Sequence, residues 1–292
     1  MFAVNLNKTA MPIFYGKVAL IESLKSINTP NSTIGFVPTM GALHQGHLSL
    51  MQQSLVENSS TVVSIFVNPT QFNNPEDLSK YPRTLESDIA KIIGLSPDII
   101  LYAPSIDDIY DGEVLSQPFD FDGLENQMEG KFRPGHFDGV GTVVKRLFEI
   151  VTPTNAYFGE KDFQQLQIVK KMVSKNNLEV NVIGCAIYRE SNGLAMSSRN
   201  ERLTDQQREN GSLILKTLNL AKEKFKSNSA KAVTQWVEES FTARTSFKLE
   251  YFQIADETTL KPCLRKNNTK KYRAFIAVTV NNIRLIDTIS LN

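Results

Sequence analysis

Two of the three histidines in the chain, His44 and His47, stand three residues apart in the run Pro38-Thr39-Met40-Gly41-Ala42-Leu43-His44-Gln45-Gly46-His47. Two imidazoles one helical turn apart can aim N–H donors at the same anion. The residues before the run, Ile34 to Val37, read as a buried strand. Those after it, Leu48 to Leu55, carry apolar positions at helical spacing without proline. The pair therefore falls where a strand turns into a helix. Unpaired backbone N–H groups and a partial positive charge make such a junction suitable for phosphate. Gly41 and Gly46 allow the backbone to come close to a nucleotide. Zinc is a poor alternative, because only His136 and the distant Cys185 and Cys263 could complete a site and no HExxH follows.

Four other segments carry groups of the same kind. Asn68-Pro69-Thr70-Gln71-Phe72 places two carboxamides after an apolar run, where each can donate to and accept from a small hydroxy acid. Lys131-Phe132-Arg133-Pro134-Gly135-His136 holds an arginine able to grip a carboxylate or phosphate bidentately. Gly159-Glu160-Lys161-Asp162 combines backbone donors, an ammonium and a carboxylate at a helix start, and Ser197-Ser198-Arg199 offers two hydroxyls and a guanidinium beside Gly193. Taken singly, Asn-Pro is a turn former, GEKD is an ordinary helix cap with a surface ion pair, and Ser-Ser-Arg carries no meaning.

The elements that must position these groups follow from patterning. A chain of 292 residues with 41% hydrophobic composition can bury a large core, in one large domain or two unequal ones. Lysine plus arginine (32) nearly balance aspartate plus glutamate (31), which argues against nucleic acid or anionic membrane as partner. The two separated cysteines fit a reducing cytoplasm. Met1 to Lys8 lacks the apolar core of a leader, and no stretch has the length of a membrane span. Strand-like runs at Thr61 to Val67 and Asp98 to Tyr102 alternate with helical ones at Leu85 to Ile93 and from Val140, whose apolar residues at 140, 143, 144, 147, 148 and 151 form one stripe. Asp162 with Gln165 is placed to cap a further helix. Such alternation predicts an α/β fold, a Rossmann-like doubly wound parallel sheet with ligands at the carboxyl ends of its strands. Near Cys185 the texture changes. Thr204 to Gln207 has the form of a capping box before a long polar helix, and strands are expected at Leu249 to Ala255, Arg273 to Val280 and Arg284 to Ile286. We expect residues 1–185 to form the nucleotide-binding domain and 186–292 a smaller α+β C-terminal lid domain meeting it along a hinge. The basic run from Lys261 to Lys271 reads as a solvated loop.

A strand, a glycine-containing turn and HxGH together resemble the signature of the nucleotidyltransferase superfamily. PTMGALHQGH, SIFVNPTQF, the stretch from Pro75-Glu76-Asp77-Leu78 to Tyr81-Pro82-Arg83-Thr84, RPGHFDGV, YFGEKDFQQL and GLAMSSRN, in this order, resemble the pantothenate synthetases (pantoate–β-alanine ligases) from about Phe36 to Leu203, with a weaker tail at Arg284 to Asp287. The resemblance implies condensation of (R)-pantoate with β-alanine, using ATP and Mg2+, to pantothenate, AMP and pyrophosphate through pantoyl adenylate. It assigns Met40, Gly41, Ala42, Leu43, His44, Gln45, Gly46 and His47 to the ATP-binding turn, with His47 as proton donor. Gly159, Glu160, Lys161 and Asp162 would bind phosphates and ribose. Met196, Ser197, Ser198 and Arg199 match the counterpart of the KMSKS loop, with serine and arginine in place of lysines. Catalysis would fall to His44, His47, Lys161, Ser197, Ser198 and Arg199. Gln71 and Gln165 would hold pantoate, with Asn68, Tyr81 and Arg133 around them and Gln71 also beside β-alanine. Asp88 matches a Mg2+ position. Tyr188, before Arg189, departs from the small aliphatic residue common there; a backbone contact with adenine would survive that change, whereas a side-chain packing contact would differ.

Carboxylate attack on a polyphosphate brings like charges together, so the site must concentrate positive charge and N–H donors. No base is needed in that step, since a carboxylate is already ionised at neutral pH. Another HxGH nucleotidyltransferase, acting on a different small acid or phosphate, is the alternative; it has no reason to carry Asn68, Gln71 and Gln165. An aminoacyl-tRNA synthetase relative would need a tRNA surface that the charge balance does not provide, and a nucleotide-binding protein without turnover would not need every reactive position filled. The family resemblance also implies a homodimer, with a strand edge at Thr61 to Phe66 or the helix from Val140 as candidate interface.

Overall fold

A computed structural model describes residues 11–72, 75–242 and 247–292. The leader test on Met1 to Lys8 and positions 73–74 of the polar stretch after Asn68 lie outside them. In chain order the first part runs β1 (Ile13–Phe14), α1 (Lys17–Ile27), β2 (Ile34–Thr39), α2 (Gln45–Glu57), β3 (Ser60–Ile65), α3 (Pro75–Lys80), α4 (Leu85–Leu95), β4 (Ile100–Tyr102), α5 (Ile106–Tyr110), α6 (Met128–Phe132), α7 (His136–Val151), β5 (Asn155–Gly159), α8 (Phe163–Lys175) and β6 (Asn181–Cys185). The six strands form one parallel sheet in the order β1-β4-β3-β2-β5-β6. The chain steps outward from β2 to β3 and β4, then crosses back to place β5 on the other side of β2. The switch between β2 and β5 opens a crevice at their carboxyl ends.

Strand alternation divides the core. Phe36, Val62, Ile100 and Ala156 pack with residues of α1, α7 and α8, whereas their neighbours Val37, Val63, Leu101 and Tyr157 pack on the other face with residues of α2 and α4. Both faces are covered, which is why the strands read as unbroken apolar runs. Gly35 serves this packing directly, since a Cβ there would lie 2.1 Å from the Ser54 hydroxyl on α2.

Three expectations are corrected in this part. The segment at Thr61 to Phe66 is not an edge: β3 pairs with β2 on one side and β4 on the other. The helix expected from Val140 begins at His136, following Gly135 at φ +79°, and its apolar stripe is buried within the chain. Asp162 occupies the N-cap position of α8 but makes no side-chain cap bond; its carboxylate lies 3.6 Å from the Lys161 ammonium instead.

The remainder contains α9 (Asp205–Asn210), α10 (Ser212–Ser227), α11 (Ala230–Thr242) and an antiparallel sheet, β7 (Lys248–Asp256), β8 (Tyr272–Val280) and β9 (Ile283–Ser290). The capping box forms, with Gln207 N–H to Thr204 Oγ1 at 3.3 Å and Thr204 N–H to Gln207 Oε1 at 3.0 Å. The long helix that it was expected to start breaks at Gly211, where a Cβ would press on the Arg208 carbonyl and Leu194, each at 3.0 Å. α10 and α11 cover one face of the sheet with a core of their own. Among the described residues, two ion pairs join this part to the parallel-sheet part: Arg284 grips Glu129 at 2.6 and 2.8 Å, and Arg273 reaches Glu160 at 3.1 Å. Tyr251 adds a hydroxyl bond to Glu129 at 2.8 Å and stacks on Phe132.

Candidate functional site

The segments that follow β2, β3, β5 and β6 converge on a cavity of about 270 Å3 in the crevice. Its wall brings together Met40, His44, Gly46, His47, Asn68, Gln71, Tyr81, Gly159, Lys161, Asp162, Gln165, Tyr188, Met196, Ser197, Ser198 and Arg199. Residues from distant parts of the sequence thus meet because each follows a strand of the same sheet, or sits on the loop beyond the last one. Gly41, Ala42, Leu43, Gln45, Glu160, Arg133 and Asp88 do not line this cavity.

The histidines stack, with ring centroids 4.0 Å apart. The His44 backbone N–H lies 3.3 Å from Nδ1 of His47, so Nδ1 accepts and the His47 proton sits on Nε2. Nδ1 of His44 is buried with no partner among the described residues. Burial, then the ammoniums of Lys161 and Lys91, push His44 down to about 4; burial, then His44, Lys161 and Lys91, push His47 down to about 3. Both rings are neutral at neutral pH, so each can offer an N–H without carrying charge. Gly41, at φ +86°, faces Asp88 and Ile65, so its place in the turn is a matter of backbone conformation; Gly46 is the one that clears the His44 ring, which a Cβ would meet at 3.0 Å.

The carboxamides have distinct surroundings. Asn68 is buried and its Oδ1 accepts from Tyr110 at 2.6 Å, while its Nδ2 donates to the Gly139 carbonyl and to Gln71 Oε1, both at 3.1 Å. Gln71 Nε2 points to Met40 Sδ at 2.8 Å. α7 comes this close because position 139 is glycine; a Cβ there would lie 2.3 Å from the Thr70 carbonyl. Arg133 and His136 both reach the Gln71 carbonyl, at 3.2 and 2.8 Å, so Arg133 supports the backbone of Gln71 from behind. Burial, then Arg133, pushes His136 down to about 4. Tyr81 sits edge-on to Phe72, and burial raises its hydroxyl pKa although the nearby Arg199 works the other way.

Lys161 lines the cavity from the turn between β5 and α8, and Glu160 turns away to Arg273. Ser197 Oγ accepts from the Arg199 N–H at 3.3 Å, and Arg199 is exposed at the mouth. The loop carrying them is held by Arg189, which donates to both oxygens of the buried Asp287 on β9 at 2.7 and 3.0 Å. Asp88 is fully buried on α4, its carboxylate bonded to the backbone of Ala42 and Leu43. No group of three or more His, Cys, Asp or Glu able to hold a metal occurs among the described residues.

Sequence reasoning did not assign the apolar part of the wall: Phe66, Val140, Val143, Val144 and Leu147, with Ala186 and Ile187 near Tyr188. The stripe on α7 was visible, but periodicity is the same whether it packs on a sheet or faces a ligand. Two polar partners were also absent from it: Tyr110, which fixes Asn68, and Lys91, which bonds the Leu43 carbonyl at 2.7 Å.

The profile of the family described as pantoate-beta-alanine ligase matches residues 14–290. A pantothenate synthetase of Flavobacterium psychrophilum is 63% identical over 281 residues, covering 96% of this chain and 100% of its own length. The crystal structure of pantothenate synthetase from Thermus thermophilus is similar at TM-score 0.85 and 37% identity, over 96% of this chain and 99% of that one. A pantoate-beta-alanine ligase from Francisella tularensis, solved in complex with beta-gamma ATP and beta-alanine, is similar at TM-score 0.73 and 37% identity, over 97% and 98% of the two chains.

Proposed function

The chain belongs to the pantoate–β-alanine ligase family, and on that premise we infer how its cavity works. It forms pantothenate from pantoate and β-alanine with ATP. The reading of the mechanism rests on one observation: the neutral histidine pair and Lys161 share a cavity with the Gln71 and Gln165 carboxamides.

In the first step the pantoate carboxylate attacks the α-phosphorus of ATP and pyrophosphate leaves, giving pantoyl adenylate. His44 and His47 donate N–H groups to phosphate oxygens, and Lys161 adds the positive charge that lets two anions meet. The N–H of Gln71 faces an acceptor oxygen of pantoate, with Gln165 opposite, and Val143, Val144 and Leu147 cover its branched carbon. Asn68 holds Gln71, and Tyr81 closes the same end. Asp162 serves the ribose, the backbone at Gly159 and Glu160 borders the nucleotide, and Tyr188 lines the adenine end. Met196, Ser197, Ser198 and Arg199 take the departing pyrophosphate. In the second step the amine of β-alanine, beside Gln71, attacks the acyl carbon and AMP leaves. Mg2+ belongs to this reading as the companion of the triphosphate; the residues around Asp88 do not fit a site for it.

The same reading takes residues 1–185 as the ATP- and pantoate-binding domain and 186–292 as a lid over the nucleotide, in a cytoplasmic homodimer that acts on small molecules. Free cysteines and the lack, among the described residues, of a helix long and apolar enough to cross a membrane support that setting. Sedimentation tests the dimer, and scattering with and without ATP tests closure.

The deciding experiment is exchange of labelled pyrophosphate into ATP with Mg2+ and pantoate but no amine. Exchange that requires pantoate and disappears in His47→Ala is expected. Exchange with other acids but not with pantoate would return the chain to the wider class of HxGH nucleotidyltransferases.

A further inference from the structure

The turn that delivers His44 has an unusual backbone: Gly41 at φ +86° is followed by Ala42 at φ +50°. A left-handed alanine is uncommon and persists where its surroundings hold it. What holds it here is one helix. Asp88, in the first turn of α4, accepts the Ala42 N–H on Oδ2 at 2.9 Å and the Leu43 N–H on Oδ1 at 2.8 Å. The Thr84 hydroxyl donates to Oδ2 at 3.1 Å. One turn further on, the Lys91 ammonium donates to the Leu43 carbonyl at 2.7 Å and stands 3.9 Å from Asp88 Oδ1.

We propose that Asp88 and Lys91 form a clasp that sets the position of His44 and His47 for adenylate formation, and that Asp88 is a positioning residue and not a magnesium ligand. The proposal rests on the reading of the site given above. The carboxylate is spent on two successive backbone donors, the arrangement by which such a turn binds an anion, with the anion supplied from within the chain. Its cation is supplied from within as well, by Lys91. Asp88 has no exposed surface, whereas Mg2+ keeps several waters and needs octahedral oxygen ligands. The clasp transmits to the chemistry in one residue: Leu43 precedes His44, whose backbone N–H fixes the His47 ring and whose own ring stacks on it.

The test uses the full chain in the pantoate-dependent exchange assay, with Asp88→Asn and Lys91→Met. Asparagine can accept only one of the two N–H groups and sets its own N–H against the other. Asp88→Asn is expected to lower kcat for exchange about a hundredfold while the KM for pantoate and the Mg2+ concentration for half-saturation stay within about twofold. Lys91→Met, at a partly exposed position, is expected to lower kcat about tenfold with the same two constants unmoved. A raised Mg2+ requirement in Asp88→Asn, with turnover restored at high Mg2+, would overturn the proposal in favour of a metal ligand. Wild-type turnover in folded Asp88→Asn would overturn it as well. If Asp88→Asn does not fold, Lys91→Met decides, and wild-type turnover there overturns the clasp. Failure of exchange in the wild-type chain would instead strike the underlying reading.

Discussion

Asn68 Nδ2 donates to Gln71 Oε1 at 3.1 Å, and this bond decides which end of the Gln71 carboxamide faces the cavity. Asn68 cannot turn round. The Thr70 N–H, which can only donate, lies 3.4 Å from its Oδ1, and the Gly139 carbonyl, which can only accept, lies 3.1 Å from its Nδ2. Gln71 is left presenting N–H groups, suited to a carboxylate or hydroxyl oxygen.

Asn68→Ala therefore frees Gln71 to present either end. The KM for pantoate should rise roughly ten- to a hundredfold, the range expected when a buried hydrogen bond is broken, with the KM for ATP little changed. Initial rates with each substrate varied in turn measure both.

Lys161→Ala and His44→Ala should each lower the rate of pantoate-dependent exchange by about a hundred- to a thousandfold, the usual consequence of losing one donor aimed at developing charge. Neither residue belongs to the main hydrophobic clusters, so the urea midpoint should stay near that of the parent. A variant that loses stability in proportion to activity would count against the assignment.

The three histidines make a pH prediction with a definite sign. His44 and His136 are pushed down to about 4 and His47 to about 3, from 6.5 in an unfolded chain. As pH falls below 6.5 the unfolded chain takes up protons that the folded one refuses. The stability held above pH 6.5 is therefore lost progressively toward pH 4 and below. Urea midpoints across that interval should fall with acidification. The acid limb of kcat/KM, which reports the free enzyme, should lie well below pH 6.5 and belong to the stacked pair jointly. An activity break at pH 6.5 would contradict the neutral-donor role.

Asp287→Ala strands Arg189 and releases the loop that bears Ser197, Ser198 and Arg199. Breaking a buried pair of this kind costs about 3 kcal/mol, and the KM for ATP should rise while that for pantoate holds. Calorimetry and initial rates read the two effects separately.

Much of this site could be read along the chain because each motif directly follows a strand or a glycine turn, and local pattern is what sequence displays. His44, Gln71, Lys161 and Ser197 all line the cavity that their motifs implied. What depended on distant pairing was harder to see. β1 has two residues and no chemistry-bearing neighbour, and went unread together with α1. β3 looked like an edge because its outer partner, β4, is only three residues long and comes well after it in sequence. Asp88 matched only a Mg2+ position because nothing local announces that its partners are the N–H groups of Ala42 and Leu43, 46 and 45 positions earlier.

The ion pairs between the two sheets set Glu129 and Glu160 of the parallel-sheet side against Arg284 and Arg273, which Glu250 and Glu257 also pair from their own side. Cutting the backbone after Cys185 would give two fragments joined across two arginines that each hold one carboxylate from either fragment, and each fragment would hold only part of the cavity wall. Salt would weaken the carboxylate contacts that cross the cut more than the apolar packing beside them. Ligase activity regained on mixing would then serve as a reporter of their reunion.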